Sequence, residues 1–213
     1  MTQHIDQAKN KHDLKIVLAT SNPGKIEEIR AMSASLPIEW ILQSELNIPD
    51  ADETGKTFIE NAILKARHAA KLSGLMALAD DSGLVIDALE GRPGVYSARY
   101  AGKNATADMR NQKILDELSD VEDADRTASY HCVLALVETE NDPVPLICHG
   151  VWEGRILREP RGKNGFGYDP IFYVPTHKRS AAELSTAEKN RISHRGQVMQ
   201  QLVEVMGDCD CDR

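Results

Sequence analysis

Short unbroken apolar runs alternate along this chain with stretches whose apolar residues recur every three to four positions. Lys15 to Thr20 is the first run. It ends in the turn residues Ser21-Asn22-Pro23-Gly24 and reads as a buried strand. From Lys25 to Ser35 the period becomes helical, with Ile26, Ile29 and Met32 on one face. Ile38 to Leu42 reads as a second strand. Thr57-Phe58-Ile59-Glu60 matches a capping box, so a helix is predicted from there to Ser73, stopped by Gly74. Met76 to Ala79 reads as strand. Ala79-Asp80-Asp81-Ser82-Gly83 then interrupts it, and the strand pattern resumes at Leu84-Val85-Ile86.

Thr106 to Leu118 is predicted helical. Tyr130 to Val137 and Leu146 to Leu157 read as strands joined through Asn141-Asp142-Pro143, an antiparallel hairpin. A glycine-rich loop, Gly165 to Pro170, precedes a strand from Ile171 to Val174. Ser185-Thr186-Ala187-Glu188 is a second capping box, opening one final helix to Met206. Crossover helices together with a hairpin predict an α/β fold with a mixed sheet. There is no internal repeat.

The chain has 213 residues, 41% of them hydrophobic, which suits one domain with a full core. Its net charge of −8 argues against non-specific binding to nucleic acid or an anionic membrane. No apolar run approaches the ~18 residues of a membrane span. The polar start lacks the apolar core of a secretory signal, so residues 1–14 read as a disordered extension, with 15–206 as the catalytic domain. Residues 207–213 read as a flexible tail, in which Cys209 and Cys211 form either a weak metal-binding pair or a frayed terminus. Cys132 and Cys148 lie in apolar runs and read as reduced core thiols, which fits the cytoplasm.

Asp80 and Asp81 pose the main chemical question, because two adjacent carboxylates inside an apolar stretch need a positive partner. A divalent cation, held with Glu53, or a lysine would supply it. Alternatively Asp80 caps a turn and Asp81 faces solvent. Ser21-Asn22-Pro23-Gly24-Lys25 places backbone N–H groups and a lysine at a helix start, as a phosphate grip or as an ordinary strand–helix turn. It lacks P-loop spacing. Asn61 and Lys65 share a helical face, which points at the acidic site or at solvent. Phe166-Gly167-Tyr168-Asp169 offers aromatic faces and an acceptor to a nucleobase, or else forms a turn with core aromatics. Lys189 and Ser193-His194-Arg195-Gly196 form a donor-rich set suited to a 6-keto purine, or a solvated helix. Together these are the equipment of an enzyme acting on a nucleotide phosphate.

In this order, the blocks 20–25, 53–70, 79–84, 93–102, 165–172 and 193–196 resemble the ITPase-like family, the dITP/XTP pyrophosphatases that act on non-standard purine nucleotides. The resemblance spans Lys15 to Met206. It implies an elongated mixed β-sheet flanked by helices, two lobes with the active-site cleft between them, and a homodimer. It implies hydrolysis of ITP, dITP and XTP to monophosphate and pyrophosphate with Mg2+, binding neither nucleic acid nor membrane. Matched by position, Asp81 is implied as the base that activates water, with Lys25 and Lys65 as catalytic cations. Glu53 and Asp81 are implied as the metal region, supported by Asp80. Thr20, Ser21, Asn22, Pro23, Gly24, Lys25 and Ser82 are implied as triphosphate contacts. Phe166, Gly167, Tyr168, Asp169, Lys189, His194 and Arg195 are implied as base and sugar contacts. A Maf-like enzyme for modified pyrimidine triphosphates and a non-catalytic nucleotide sensor are the competing readings.

Overall fold

The computed structural model describes residues 14–208. Seven strands form one sheet: β1 (Leu14–Leu18), β2 (Ile38–Leu42), β3 (Met76–Ile86), β4 (Thr127–Val137), β5 (Leu146–Ile156), β6 (Phe172–Val174) and β7 (Arg179–Ser180). Their spatial order is β2-β1-β3-β4-β5-β6-β7. β1 pairs in parallel with β2 and β3, and the remaining pairings are antiparallel. The mixed sheet and the β4–β5 hairpin are therefore as the sequence predicts. Among the described residues, five α-helices accompany the sheet: α1 (Pro23–Met32), α2 (Phe58–Ser73), α3 (Ala107–Glu117), α4 (Thr186–Ile192) and α5 (His194–Asp208). No helix among the described residues is long and apolar enough to cross a membrane. Leu14, expected within the N-terminal extension, opens β1, and Gly207 and Asp208, expected in the tail, continue α5. The expected disorder before Leu14 and the Cys209–Cys211 pair lie outside the described residues.

Local chemistry sets the helix ends. The Asn22 side chain caps α1, accepting from the backbone N–H groups of Gly24 and Lys25, and Pro23 supplies a preset φ at the first position. Thr57 and Glu60 complete the capping box of α2, and Gly74 ends that helix at φ 69°.

The strands carry two layers of core. Ile16, Leu18, Leu78 and Leu134 face α1 and α5. Val17, Ala77, Ala79, Val133 and Ala135 face the opposite way, against Ala62, Ala66, Ala69 and Ala70 of α2. This row of small residues lets α2 lie close to the strands. The far halves of the long strands β3, β4 and β5 enter a second cluster, where Leu84, Tyr130, Trp152 and Phe172 meet Ile114 and Leu118 at the end of α3. Each fully buried leucine or isoleucine here contributes about 1.5–3 kcal/mol. The molecule thus has two lobes threaded by the same three strands.

Two expectations change. Ala79 to Gly83 does not interrupt the strand: the β3–β4 ladder runs unbroken, with Asp80 opposite Leu134 and Asp81 opposite Val133. Backbone pairing is indifferent to side-chain charge provided each charge finds a partner, and both do. The final helix is also not continuous. Ser193 is extended (φ −71°, ψ 163°) and separates α4 from α5. Its hydroxyl accepts from the N–H of Gly196, giving α5 its own cap.

Candidate active site

A cleft of about 820 Å³ lies between the lobes, walled by the β1–α1 turn, the acidic loop before α2, β3, the 166–169 loop and the α4–α5 junction. Strand alternation decides its chemistry, because neighbouring residues on β3 point to opposite faces. Asp80 and Asp81 therefore serve two separate charge networks.

On the face shared with α1 and α5, Asp80 is fully buried. Lys25 is ion-paired to it, the Arg195 Nε donates to its Oδ2 at 3.1 Å, and the Cys132 thiol reaches the same oxygen at 2.9 Å. Arg195 also pairs through its guanidinium with Glu28 and donates to Ser82 Oγ at 2.9 Å. Glu28 in turn accepts from Lys189 at 3.1 Å, and Lys189 donates to Asp169 Oδ2 at 2.7 Å. The result is an alternating chain, Lys25–Asp80–Arg195–Glu28–Lys189–Asp169, in which every buried charge has an opposite neighbour. Burial pushes the Asp80 carboxyl up, but Lys25 and Arg195 outweigh it and hold it well below the usual range.

On the α2 face, Lys65 donates to Asp81 Oδ1 at 2.7 Å and to Glu53 Oε1 at 3.1 Å. Arg99, from the 3-10 helix Gly94–Arg99, donates to the other Glu53 oxygen at 2.7 Å. Asp81 Oδ2 is buried and has no partner. Burial raises the Asp81 carboxyl against the pull of Lys65. Burial also raises Glu53, but Lys65 and Arg99 prevail and leave it lowered. The Lys65 ammonium, pushed down by burial, is held raised by Asp81 and Asp80.

The sequence-expected groups therefore gather around one cleft, but several take different parts. Asp80, expected to support a metal beside Glu53 and Asp81, faces the other way with its oxygens occupied by Lys25, Arg195 and Cys132. Arg195 is 1% exposed and all three of its nitrogens are engaged by protein, so contact with a base would require it to exchange one of these partners. Tyr168 is buried and donates its hydroxyl to the Ser97 carbonyl at 2.7 Å, which makes it a core link to the Arg99 segment. Asp169 binds its own loop through the Phe166 N–H at 2.9 Å and through Lys189. Phe166 is the partly open aromatic face, lying against Gly24 with the Lys189 ammonium 4.7 Å from its centroid. Gly167 lines the cleft beside it at φ 66°.

His194 stacks on Tyr130 at 4.6 Å and is held well below its ordinary pKa by burial and by the positive Arg195 and Lys189. Its Nδ1 has no partner. In the β1–α1 turn, the Thr20 hydroxyl accepts from the Asn22 N–H at 3.2 Å and Ser21 donates to Asp50 Oδ2 at 3.1 Å. The N–H groups at the start of α1 bind the Asn22 cap, so an incoming phosphate would compete with it.

Four contributors have no role in the sequence reading, although Ser97 and Arg99 lie in the 93–102 block. Glu28 is masked as an ordinary helical acid, although it neighbours the buried Ile29. Arg99, Tyr130 and Ser97 reach the site only through tertiary placement. Among the described residues, no group of three or more His, Cys, Asp or Glu side chains is arranged as a ready-made metal cage. The free Oδ2 of Asp81 fits one ligand of a hard divalent cation that also binds phosphate, and Glu53, whose oxygens accept from Lys65 and Arg99, would release one of them to join it.

An open mixed sheet with paired cations and carboxylates in an interlobe cleft defines an α/β protein built to handle a charged ligand. The chain belongs to the Ham1 family, whose model matches residues 16–205. It is 64% identical over 193 residues to the dITP/XTP pyrophosphatase of Coxiella burnetii, covering 91% of this chain and 96% of that one. The solved HAM1 protein of Coxiella burnetii is similar at 63% identity with a TM-score of 0.87, covering 92% of this chain and 99% of that chain. The Staphylococcus aureus Ham1 structure is 38% identical with a TM-score of 0.81, covering 91% of this chain and 98% of that chain.

Proposed function

We propose that this chain hydrolyses non-standard purine nucleoside triphosphates (dITP, XTP and ITP) to the monophosphate and pyrophosphate, with Mg2+, as a homodimer in the cytoplasm. The observation that carries the chemistry is Asp81. Its Oδ2 is buried and unpartnered, its Oδ1 is fixed by Lys65, and its pKa is raised. A raised pKa makes a carboxylate a stronger base and a held geometry aims it, and Asp81 combines both features.

In this reading Asp81 Oδ2 takes the proton of a water attacking in line at the α-phosphorus. Lys65, held between Asp81 and Glu53, and Lys25, held by Asp80, balance charge on the triphosphate. Ser82 and the residues of the β1–α1 turn position the phosphates. Phe166 offers the base a stacking face, and neutral His194 offers a ring nitrogen to its edge. Lys189 brings a cation to the same region. A divalent cation held by Glu53 and Asp81 would neutralise phosphate oxygens and the leaving pyrophosphate. Dimerisation rests on the sequence resemblance.

The test is product analysis with dITP, XTP, GTP, ATP and dTTP, each with Mg2+ and with EDTA. The expected result is monophosphate plus pyrophosphate from dITP or XTP, only with metal. Orthophosphate plus diphosphate would move the attack to the γ-phosphorus and overturn the mechanism. A preference for dTTP would favour a pyrimidine enzyme.

A further inference from the structure

Outside the cleft, the β4–β5 hairpin carries a second cluster of ligand-type side chains. His131 on β4 and His149 on β5 sit on one sheet face, since His149 lies directly opposite Val133 and His131 is two residues from Val133 along its strand. This is the face that α2 covers further along, through Val133 and Ala135. Beside His131 lies Phe58, the first residue of α2, whose ring stacks on it at 5.8 Å. His149 is exposed.

His131 Nδ1 and His149 Nε2 face each other at 3.2 Å. Two imidazole nitrogens cannot direct lone pairs at one another without a proton or a cation between them. The spacing suits either. With metal–nitrogen bonds of about 2.0–2.1 Å, two imidazoles on one cation sit about 2.9 Å apart at a right angle and about 3.3 Å apart at the tetrahedral angle. The observed separation falls inside that window. The other ring nitrogen of His131, Nε2, lies 3.0 Å from Ser129 Oγ. In the tautomer whose Nε2–H donates to that hydroxyl, the Nδ1 lone pair is presented and Ser129 is the outer partner usual for a metal-bound histidine.

We propose that His131 and His149 form a two-histidine site for a divalent transition metal of the Cu2+, Ni2+ and Zn2+ class, separate from the cleft, with solvent completing the coordination. Imidazole selects these ions, and Mg2+, which prefers oxygen, is excluded by the same chemistry. The pair supplies two protein ligands, in keeping with the absence of a three-ligand cluster among the described residues. The proposal is independent of the proposed activity.

The probe is Cu2+, added to the full chain carrying Cys209→Ser and Cys211→Ser so that the tail thiols do not compete. Calorimetry reads affinity, and electron paramagnetic resonance counts the bound imidazole nitrogens. The expected result is a tight equivalent with two-nitrogen coupling, undisturbed by millimolar Mg2+. His149→Ala, at an exposed position, should lose one coupled nitrogen and weaken binding at least about 10-fold, the lower limit for disturbing even an outer partner. Ser129→Ala should weaken it about 10-fold with both nitrogens retained. No tight equivalent in the parent, or affinity and coupling unchanged in His149→Ala, would overturn the proposal.

Discussion

Asp80 and Asp81 are neighbours in sequence with opposite acid–base behaviour, and the difference is one of facing. Asp81 has a raised pKa, so its ionisation opposes folding, and this penalty grows as pH rises from the ordinary value of 3.8 through the folded pKa. Replacing it with asparagine removes the base and the penalty together. Asp81→Asn should lower turnover at least about 100-fold, the lower end for general base catalysis. Its melting temperature at pH 7 should equal or exceed that of the parent. Pyrophosphate release and a thermal melt check both, and near-normal turnover would remove Asp81 from its role.

Asp80 has the reverse sign. Its pKa is depressed, so its stabilisation is present above about 3.8 and is lost as pH falls through the lower folded value. Asp80→Asn leaves Lys25 and Arg195 uncompensated in a buried site. It should destabilise by about 3–5 kcal/mol in urea unfolding, the usual effect of breaking a buried pair. Sequence spacing identified these residues as unusual. It could not separate them, because reading Ala79–Gly83 as an interruption hid the strand alternation that sends them to opposite faces.

Individual elements carry the site through close approach. At Gly83 on β3, a methyl group would press on the Gly94 carbonyl and lie 2.9 Å from the Phe58 ring. The Gly94–Arg99 segment rests on this glycine and delivers Arg99 to Glu53 and Ser97 to the Leu84 N–H. Gly83→Ala should cost about 1–3 kcal/mol, as overpacking does. It should also raise KM by displacing Arg99, which urea melts and steady-state kinetics would show. The capping boxes at Thr57 and Ser185 were legible because they are local hydrogen-bond patterns. The break at Ser193 was not, because the α4–α5 period looks continuous. The break turns His194 and Arg195 inward, where both are buried.

At the scale of the molecule, β3, β4 and β5 each run 11 residues and serve both lobes. Neither lobe can lose its half of these strands without exposing the other's core, so unfolding should be a single transition. The two tryptophans report on separate lobes: Trp40 packs against the first core and Trp152 lies within the other. In Trp40→Phe and Trp152→Phe, the fluorescence midpoint of the remaining tryptophan should coincide with that variant's own far-ultraviolet circular dichroism midpoint. Separated midpoints in either would show that the lobes unfold independently.

The sequence by itself determined the order of the longer strands and helices, the α/β class and the capping boxes at Thr57 and Ser185. These follow from hydrophobic period, turn chemistry and residue type, all expressed within a few neighbours along the chain. Tertiary structure alone decided which charge meets which. Glu28 reaches Lys189 and Arg195 across more than 160 positions of sequence, and Arg99 meets Glu53 across 46. Electrostatic partnership depends on distance and burial in space, and neither is encoded by local spacing. That is why Arg195 is paired with Asp80 and Glu28 while Asp81 keeps a free oxygen.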